Sequence, residues 1–378
     1  MAKKIILTFG TRPEAIKMAP VYFALKKDVS FSVKLVLTGQ HSALLDEALY
    51  IFGMKSDYNL NIMTSGQSLA DITSSAVKRL DAVYKKEKPD MILVHGDTST
   101  TFASALAAFY NGIPVAHVEA GLRTFDKSEP FPEEMNRILT DSISDILFPP
   151  TAASLVNIKK EGLRPELISV TGNTIVDAAL AISRSGRGVS PSVRRLAEKP
   201  FILFTMHRRE SWGKPMEGVF DLFKNYFTSD KGVRVIYPVH PNPVVKKAAA
   251  KIMIGSDNIV LTKPVNYRDL IYLLENCLFA VTDSGGIQEE ALVFGKKVVL
   301  LRNRTERPEG VAAGFVEVTG THPAKIRACM NRLLKKKKEE SAKPFKNPYG
   351  DGRASERIIC ALRKYFGLRA VSKIKDFE

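Results

Sequence analysis

Residues 91–118, MILVHGDTSTTFASALAAFYNGIPVAHV, hold a strand, a helix and a second strand in immediate succession. Met91–Val94 is a short run of large apolar residues, the composition of a strand buried on both faces. His95-Gly-Asp-Thr98 ends it with a polar turn, and Thr100–Tyr110 then takes up helical spacing. Pro114–Val118 is β-rich again and ends in Glu119-Ala-Gly121. A helix between two short buried strands predicts parallel strands joined by a crossover.

The same alternation extends in both directions. Upstream lie the runs Lys4–Phe9 and Val33–Leu37, with a helical stretch Ser68–Lys86 that spaces Leu69, Ile72, Ala76, Leu80 and Val83 on one face. Downstream lie Asp145–Phe148 and Leu167–Val170. Ser183–Pro200, SRSGRGVSPSVRRLAEKP, interrupts the pattern with the composition of an exposed linker. The pattern then resumes with Phe201–Thr205, Val233–Pro238, Ile259–Leu261, Leu278–Thr282 and Val298–Leu301. The expected fold is α/β, with two doubly wound domains facing each other across a cleft. The expected domains are 1–182 and 201–352, with 183–200 as the hinge between them.

Composition narrows the function classes. The chain has 378 residues, is 45% hydrophobic and carries a formal net charge of +16. Residues 1–180 hold 19 basic and 20 acidic residues, and residues 181–378 hold 37 and 20. Residues 325–375 alone hold 16 and 4, so most of the excess is C-terminal. The basic segment lacks the interleaved aromatics of a nucleic-acid binder, and no nucleic-acid partner is expected. The Lys335–Lys338 run, followed by Glu339 and Glu340, reads as the solvated end of a helix. Cys277, Cys329 and Cys360 are too few and too scattered for a disulfide framework or a four-cysteine zinc site, which fits a reducing, cytoplasmic setting. No apolar run approaches the roughly 20 residues that span a bilayer. The N-terminal MAKKIILTFG reads as a first strand rather than a leader, because Gly10-Thr-Arg-Pro13 follows within a few residues.

In open parallel sheets, ligands bind beyond the carboxyl ends of the strands. The unusual polar residues of this chain collect there: Gly10-Thr-Arg-Pro-Glu14 with Lys17 behind it, His95–Thr98, Glu119, His207-Arg-Arg-Glu210, His240 and Asp283-Ser-Gly-Gly286. The glycines before Ile287-Gln-Glu-Glu290 let backbone approach a ligand at a helix N-terminus, which suits a diphosphate. Glu290 is placed to accept ribose hydroxyls, and Arg12, His207 and Arg307 are candidate phosphate partners. Asp97, Glu119 and Glu133 are expected to converge near Lys17, where mutual repulsion and a cation set acid and base apart. No GxGxxG, P-loop or metal-ligand spacing occurs, so neither a metal nor a dinucleotide cofactor is expected.

These motifs together resemble the non-hydrolysing UDP-N-acetylglucosamine 2-epimerases. The matching stretches are Gly10-Thr-Arg-Pro-Glu-Ala-Ile-Lys-Met-Ala-Pro20, Val94-His-Gly-Asp-Thr98, His117-Val-Glu-Ala-Gly-Leu-Arg-Thr124, Pro132-Glu-Glu-Met-Asn-Arg137 and Val170-Thr-Gly-Asn-Thr174. In the second half they are His207-Arg-Arg-Glu-Ser211, Tyr237-Pro-Val-His240, Thr282–Glu290, Thr305-Glu-Arg-Pro-Glu309 and Asn347-Pro-Tyr-Gly-Asp-Gly352. The resemblance runs in family order from residue 5 to about residue 362. It implies the glycosyltransferase-B architecture of two Rossmann-like domains, with a final helix, about 353–378, packing back on the first. It also implies reversible epimerisation at C2 of a UDP-N-acetylhexosamine, a homodimer, and no cofactor.

Carried over by position, Asp97, Glu119 and Glu133 match the family's acid–base carboxylates, and Lys17 and His207 match residues near the departing UDP. Arg12, Arg137, His240, Val265, Leu270, Ser284, Gly285, Gly286, Glu290 and Arg307 match positions that bind UDP or the sugar. Some members carry Gln and Phe where this chain reads Val265-Asn-Tyr-Arg-Asp-Leu270. Ser42, Ala43 and Ser75 depart from the pattern of the allosteric site of bacterial members. A UDP-sugar-dependent glycosyltransferase of the same fold, or an epimerase of a modified UDP-N-acetylhexosamine, is the alternative.

Overall fold

Seven strands of the first half form one sheet in the order β3-β2-β1-β4-β5-β6-β7. They are β1 (Lys3–Phe9), β2 (Phe31–Leu37), β3 (Tyr58–Asn59), β4 (Met91–His95), β5 (Val115–Val118), β6 (Ile146–Phe148) and β7 (Leu167–Ile168). A second sheet has the order β10-β9-β8-β11-β12-β13. Its strands are β8 (Phe201–Thr205), β9 (Arg234–Pro238), β10 (Ile259–Thr262), β11 (Ala280–Thr282), β12 (Val298–Leu300) and β13 (Val316–Val318). Every neighbouring pair is parallel. The order reverses between β1 and β4 and between β8 and β11, so successive crossover helices cover opposite faces of each sheet.

This computed structural model describes residues 1–39, 43–64, 66–186, 188–228, 232–336 and 345–378, with only the backbone of Ala43 and Lys336. Ser42, the Ala43 side chain and the Lys337-Lys-Glu-Glu340 part of the charge run lie outside the described residues. Ser75 is half-buried in the helix Leu69–Glu87.

The two halves are cored differently. In the first, the strand residues Ile6, Val36, Ile92 and Val94 are fully buried beside the small residues Ala103, Ala105, Ala107 and Ala108 of the helix Ser99–Tyr110. Alanines on that face let the helix lie close to the helix Leu69–Glu87, which contributes Leu80 and Tyr84. In the second, aromatic rings fill the core: Phe204 lies 4.3 Å from Phe223 and 4.7 Å from Tyr237, ring centre to ring centre.

The chain divides into two units, Met1–Ala178 with Tyr349–Glu378, and Ala179–Pro348. The first division falls after Ala178, inside the helix Thr174–Ser185, four residues before the expected boundary at 182 in the same helix. The segment 183–200 expected as an exposed linker or hinge falls in the second unit, and half of its residues are helical. Pro191 opens a short helix, Pro191–Leu196, and Ser190 donates to Asp269 through its amide (2.8 Å) and hydroxyl (2.7 Å).

The return to unit 1 begins at Tyr349, whose carbonyl accepts the Asn173 amide at 2.6 Å. The helix Ala354–Tyr365 follows, with Ile358, Ile359 and Leu362 buried. Arg363 anchors its end to Asp28 at 2.6 Å. Its first turn is capped from another helix: Asp177 accepts the amides of Ala354 (3.1 Å) and Ser355 (2.9 Å) and the Ser355 hydroxyl (2.7 Å). Burial raises the Asp177 pKa, and these bonds pull it back without cancelling the shift. Asp177→Ala leaves the two amides without this acceptor and is expected to destabilise unit 1 by about 2 kcal/mol. That corresponds to a fall in Tm of roughly 4–8 °C, readable by differential scanning calorimetry; an unchanged Tm would contradict the capping role.

Candidate active site

In unit 1 the polar residues gather where β1, β4 and β5 end, in the middle of the sheet. β1 runs into Gly10, where a Cβ would lie only 2.5 Å from Thr38 Oγ1, so this close approach requires glycine. Glu14, in the first turn of the helix Arg12–Lys27, is 2% exposed. One of its oxygens accepts the amides of Gly10 (3.1 Å) and Thr11 (2.8 Å). The other accepts the hydroxyls of Thr98 (2.9 Å) and Thr101 (3.1 Å). A single carboxylate thereby joins the loop after β1 to the loop that carries Asp97. Sequence reading did not single Glu14 out; the Thr-x-x-Glu spacing of a capping box was the available signal.

Lys17, three residues further along, points its ammonium at Glu119 in an ion pair whose side chains are only 7% and 8% exposed. Glu119 closes β5 with φ +68°, a left-handed conformation that costs a non-glycine residue about 1–2 kcal/mol. The Glu119 amide donates to Phe148 at 3.1 Å, which holds that turn in place. Asn173 Nδ2 donates to the same Glu119 oxygen at 2.9 Å, and His95 Nε2 lies 3.6 Å from it. Neither Asn173 nor His95 was singled out from sequence, although both lie in quoted motifs.

Asp97 is held from the helix Glu133–Ile143. Arg137 donates to its carboxylate at 2.8 Å and Asn136 to its backbone carbonyl at 2.9 Å. Burial raises the Asp97 pKa; Arg137 opposes this, and the negative charges of Glu119 and Glu133 push it up again, leaving a net rise. Its side chain still keeps 32% of its surface accessible, so it can meet a ligand. Glu133 opens the helix partly exposed, whereas Glu134 is turned inward and accepts the amides of Thr124 (2.9 Å) and Phe125 (2.8 Å). Within this unit Lys17 thus pairs with Glu119, and Asp97 lies near enough to Glu119 and Glu133 to feel their charges. Arg137 binds Asp97 and the Glu133 carbonyl, while Arg12 opens the helix Arg12–Lys27.

In unit 2 the ends of β8, β9 and β11 carry the second group. Asp283 is fully buried and accepts the amides of His207 (2.7 Å) and Arg208 (2.8 Å). His207 Nδ1 lies 3.2 Å from the other Asp283 oxygen, and the His207 ring stacks on His240 with centres 5.1 Å apart. Burial, then the neighbouring His207, lowers the His240 pKa against the pull of Asp283. Ser284 caps the helix Gly285–Val293. Arg307 lies over Gly285, where a Cβ would come within 2.8 Å of the guanidinium, whereas a Cβ on Gly286 would meet nothing closer than Ser284 Oγ at 4.0 Å. Arg307 pairs with Glu289 at 2.7 Å and with Glu306. Burial alone would raise the Glu306 pKa, but Arg307, Arg302 and Arg208 hold it at about 2. Glu290 is buried on the same helix, and Val265 and Leu270 flank the start of the helix Tyr267–Asn276 beyond β10. Among the described residues no group of His, Cys, Asp and Glu side chains could hold a metal ion.

Chemically, unit 1 offers carboxylates in unlike surroundings: Glu119 with its charge compensated, Asp97 with raised proton affinity. Such a pair can divide acid and base roles. A ¹³C titration of the Asp97 carboxyl is expected to show a pKa above the ordinary aspartate range. It should rise further in Arg137→Met and fall in Glu133→Gln; movement in the opposite directions would contradict the geometry.

The family model described as UDP-N-acetylglucosamine 2-epimerase matches residues 23–363. The UDP-N-acetylglucosamine 2-epimerase of Bacillus subtilis is 46% identical over 367 residues, covering 97% of this chain and 96% of that protein. Among solved structures, S. aureus MnaA in a co-structure with UDP is 44% identical with a TM-score of 0.88, covering 100% of both chains. The Neisseria meningitidis UDP-GlcNAc 2-epimerase bound to UDP-GlcNAc is 40% identical with a TM-score of 0.88, covering 96% of this chain and 100% of that one. With a family model matching most of its length and full-length relatives well above 30% identity, the chain belongs to the UDP-N-acetylglucosamine 2-epimerase family.

Proposed function

We propose that this chain is an isomerase that interconverts UDP-N-acetylglucosamine and UDP-N-acetylmannosamine by eliminating and re-adding UDP. The supporting observation is the cluster of Asp97, Glu119 and Glu133 about Lys17 and Arg137, in a chain whose relatives carry the epimerase name. One carboxylate removes the C2 proton while the C1–O bond breaks and its electron pair leaves on the β-phosphate. A C1–C2 double bond results, as 2-acetamidoglucal. A second carboxylic acid then returns a proton to the opposite face of C2, and the phosphate oxygen re-forms the bond to C1. Inverting one carbon needs a donor and an acceptor on opposite faces, which one carboxylate cannot supply.

In this reading Lys17 stabilises charge on the leaving diphosphate, as does His207, which Asp283 orients. Ser284, Gly285 and Gly286 present a helix N-terminus to the phosphates, and Arg307 supplies positive charge beside it. Glu290 takes the ribose, Val265 and Leu270 the uracil, and Arg12, Arg137 and His240 complete the contacts to the sugar and diphosphate. A transferase would not need three carboxylates about one lysine. We also propose a homodimer, as the family resemblance implies, working in the cytoplasm, where the free thiols of Cys277, Cys329 and Cys360 are at home.

Given UDP-N-acetylglucosamine in deuterated water, the enzyme should yield both epimers with deuterium at C2. Transfer of the sugar to an acceptor, or no exchange at C2, would overturn the reading. Asp97→Asn, Glu119→Gln and Glu133→Gln should each slow exchange by about 10²–10⁴-fold, and wild-type rates in all three would refute their roles. Arg307→Ala and Ser284→Ala should act mainly on UDP affinity measured by calorimetry, with KM rising more than kcat falls.

A further inference from the structure

Beneath the acid–base loops of unit 1 lies a buried charged network that the chemistry above does not use. Asp141, from the helix Glu133–Ile143, has a side chain with no exposed surface. It accepts three donors: His117 Nδ1 at 2.6 Å, the Gly121 amide at 3.0 Å and Arg123 Nη2 at 2.7 Å. Burial alone would raise its pKa, but His117 and Arg123 outweigh it and lower it, so Asp141 is a carboxylate that only accepts. The far nitrogen of His117 lies 2.7 Å from the carbonyl oxygen of Gly96, which also only accepts. His117, fully buried, thereby bridges the Asp141 carboxyl group and the Gly96 backbone carbonyl through its two ring nitrogens.

Gly96 is the residue before Asp97, and Gly121 is the second residue after Glu119. Asp141 therefore grips both loops at once, the Glu119 loop directly and the Asp97 loop through His117. Neither grip can slip easily. Gly121 sits at φ +79°, where a Cβ would lie 2.5 Å from Ser154 O, and Arg123 is itself fixed by Glu161 at 2.7 Å.

We propose that Asp141 is a positioning residue that, through the bridging His117, sets the spacing between the Asp97 and Glu119 carboxylates. The proposal rests on the acid–base reading of those two residues. A tether of this kind is felt in the chemical step rather than in UDP binding, because misplacement by about 1 Å costs about 100-fold in rate.

Two variants test it, each alongside Asp97→Asn in the deuterium-exchange assay. His117→Phe keeps the ring's bulk and removes the bond to Gly96. It should lower kcat by about 100-fold while KM for UDP-N-acetylglucosamine stays within about threefold, with the circular dichroism of a folded protein. Wild-type kcat in folded His117→Phe, beside an inactive Asp97→Asn, overturns the positioning role alone. Wild-type kcat in Asp97→Asn overturns the acid–base reading beneath it.

Asp141→Asn keeps the volume and carries the test independently. Its carbonyl can satisfy Gly121 and Arg123 while its amide nitrogen donates to His117 Nδ1, which leaves Nε2 to donate to Gly96. Because the tether survives, kcat in Asp141→Asn should stay within about fivefold of the wild type, well above that of His117→Phe. A folded Asp141→Asn as slow as His117→Phe overturns the proposal.

Discussion

A parallel strand cannot turn back beside itself; it must cross over, and so every strand in a parallel sheet delivers its carboxyl end to the same edge. Both sheets of this protein obey that constraint throughout, and both reverse their order at the centre. At the reversal, neighbouring loops leave toward opposite faces and open a gap between them. In unit 1 that gap lies between the loops after β1 and β4 and receives Glu14, Lys17 and Asp97. In unit 2 it lies between the loops after β8 and β11 and receives His207, Asp283 and Ser284. The site follows from the topology, which brings residues far apart in sequence to one edge.

The units handle charge differently at that edge. Unit 1 buries opposite charges against one another, as in Lys17 with Glu119 and Arg123 with Asp141. Buried pairs of this kind add little net stability, because desolvation consumes most of the attraction. Their benefit here is geometric: a buried charge gripped by fixed partners holds one position. Unit 2 instead collects arginines about Glu306, whose carboxylate remains ionised among them. The net charge of +16 has little to do with either cluster, because the segment 325–375 supplies most of it.

Much of this was legible in the sequence. Buried parallel strands announce themselves as apolar runs, and the runs at Lys4–Phe9, Met91–Val94 and Phe201–Thr205 lie where β1, β4 and β8 are found. The edge strands β3 and β13 were not read, since Tyr58–Asn59 is two residues long and Val316–Val318 carries a glutamate. At the site, side chains at strand ends could be found from the strands themselves. Residues that act on other residues could not. Nothing in the one-dimensional order shows that Asn173 meets Glu119, 54 positions away, or that Asp141 meets His117. Glu134 and Glu133 are neighbours of the same type, and only the helix phase turns one inward and leaves the other near Asp97.

The return of the chain to unit 1 at Tyr349 has a consequence for the order of events during synthesis. The Asn173 loop receives its backbone partner from Tyr349, and Asp177 meets its three donors in Ala354 and Ser355, some 177 positions later. Unit 2, by contrast, is a continuous stretch from Ala179 to Pro348 with all its strands in hand before that return is made. On the ribosome the inserted unit can therefore finish first, while the unit that begins the chain waits for its last helix. Asn173, one of the residues that hold Glu119, is among the last to be secured, so an unfinished chain lacks that support for the carboxylate.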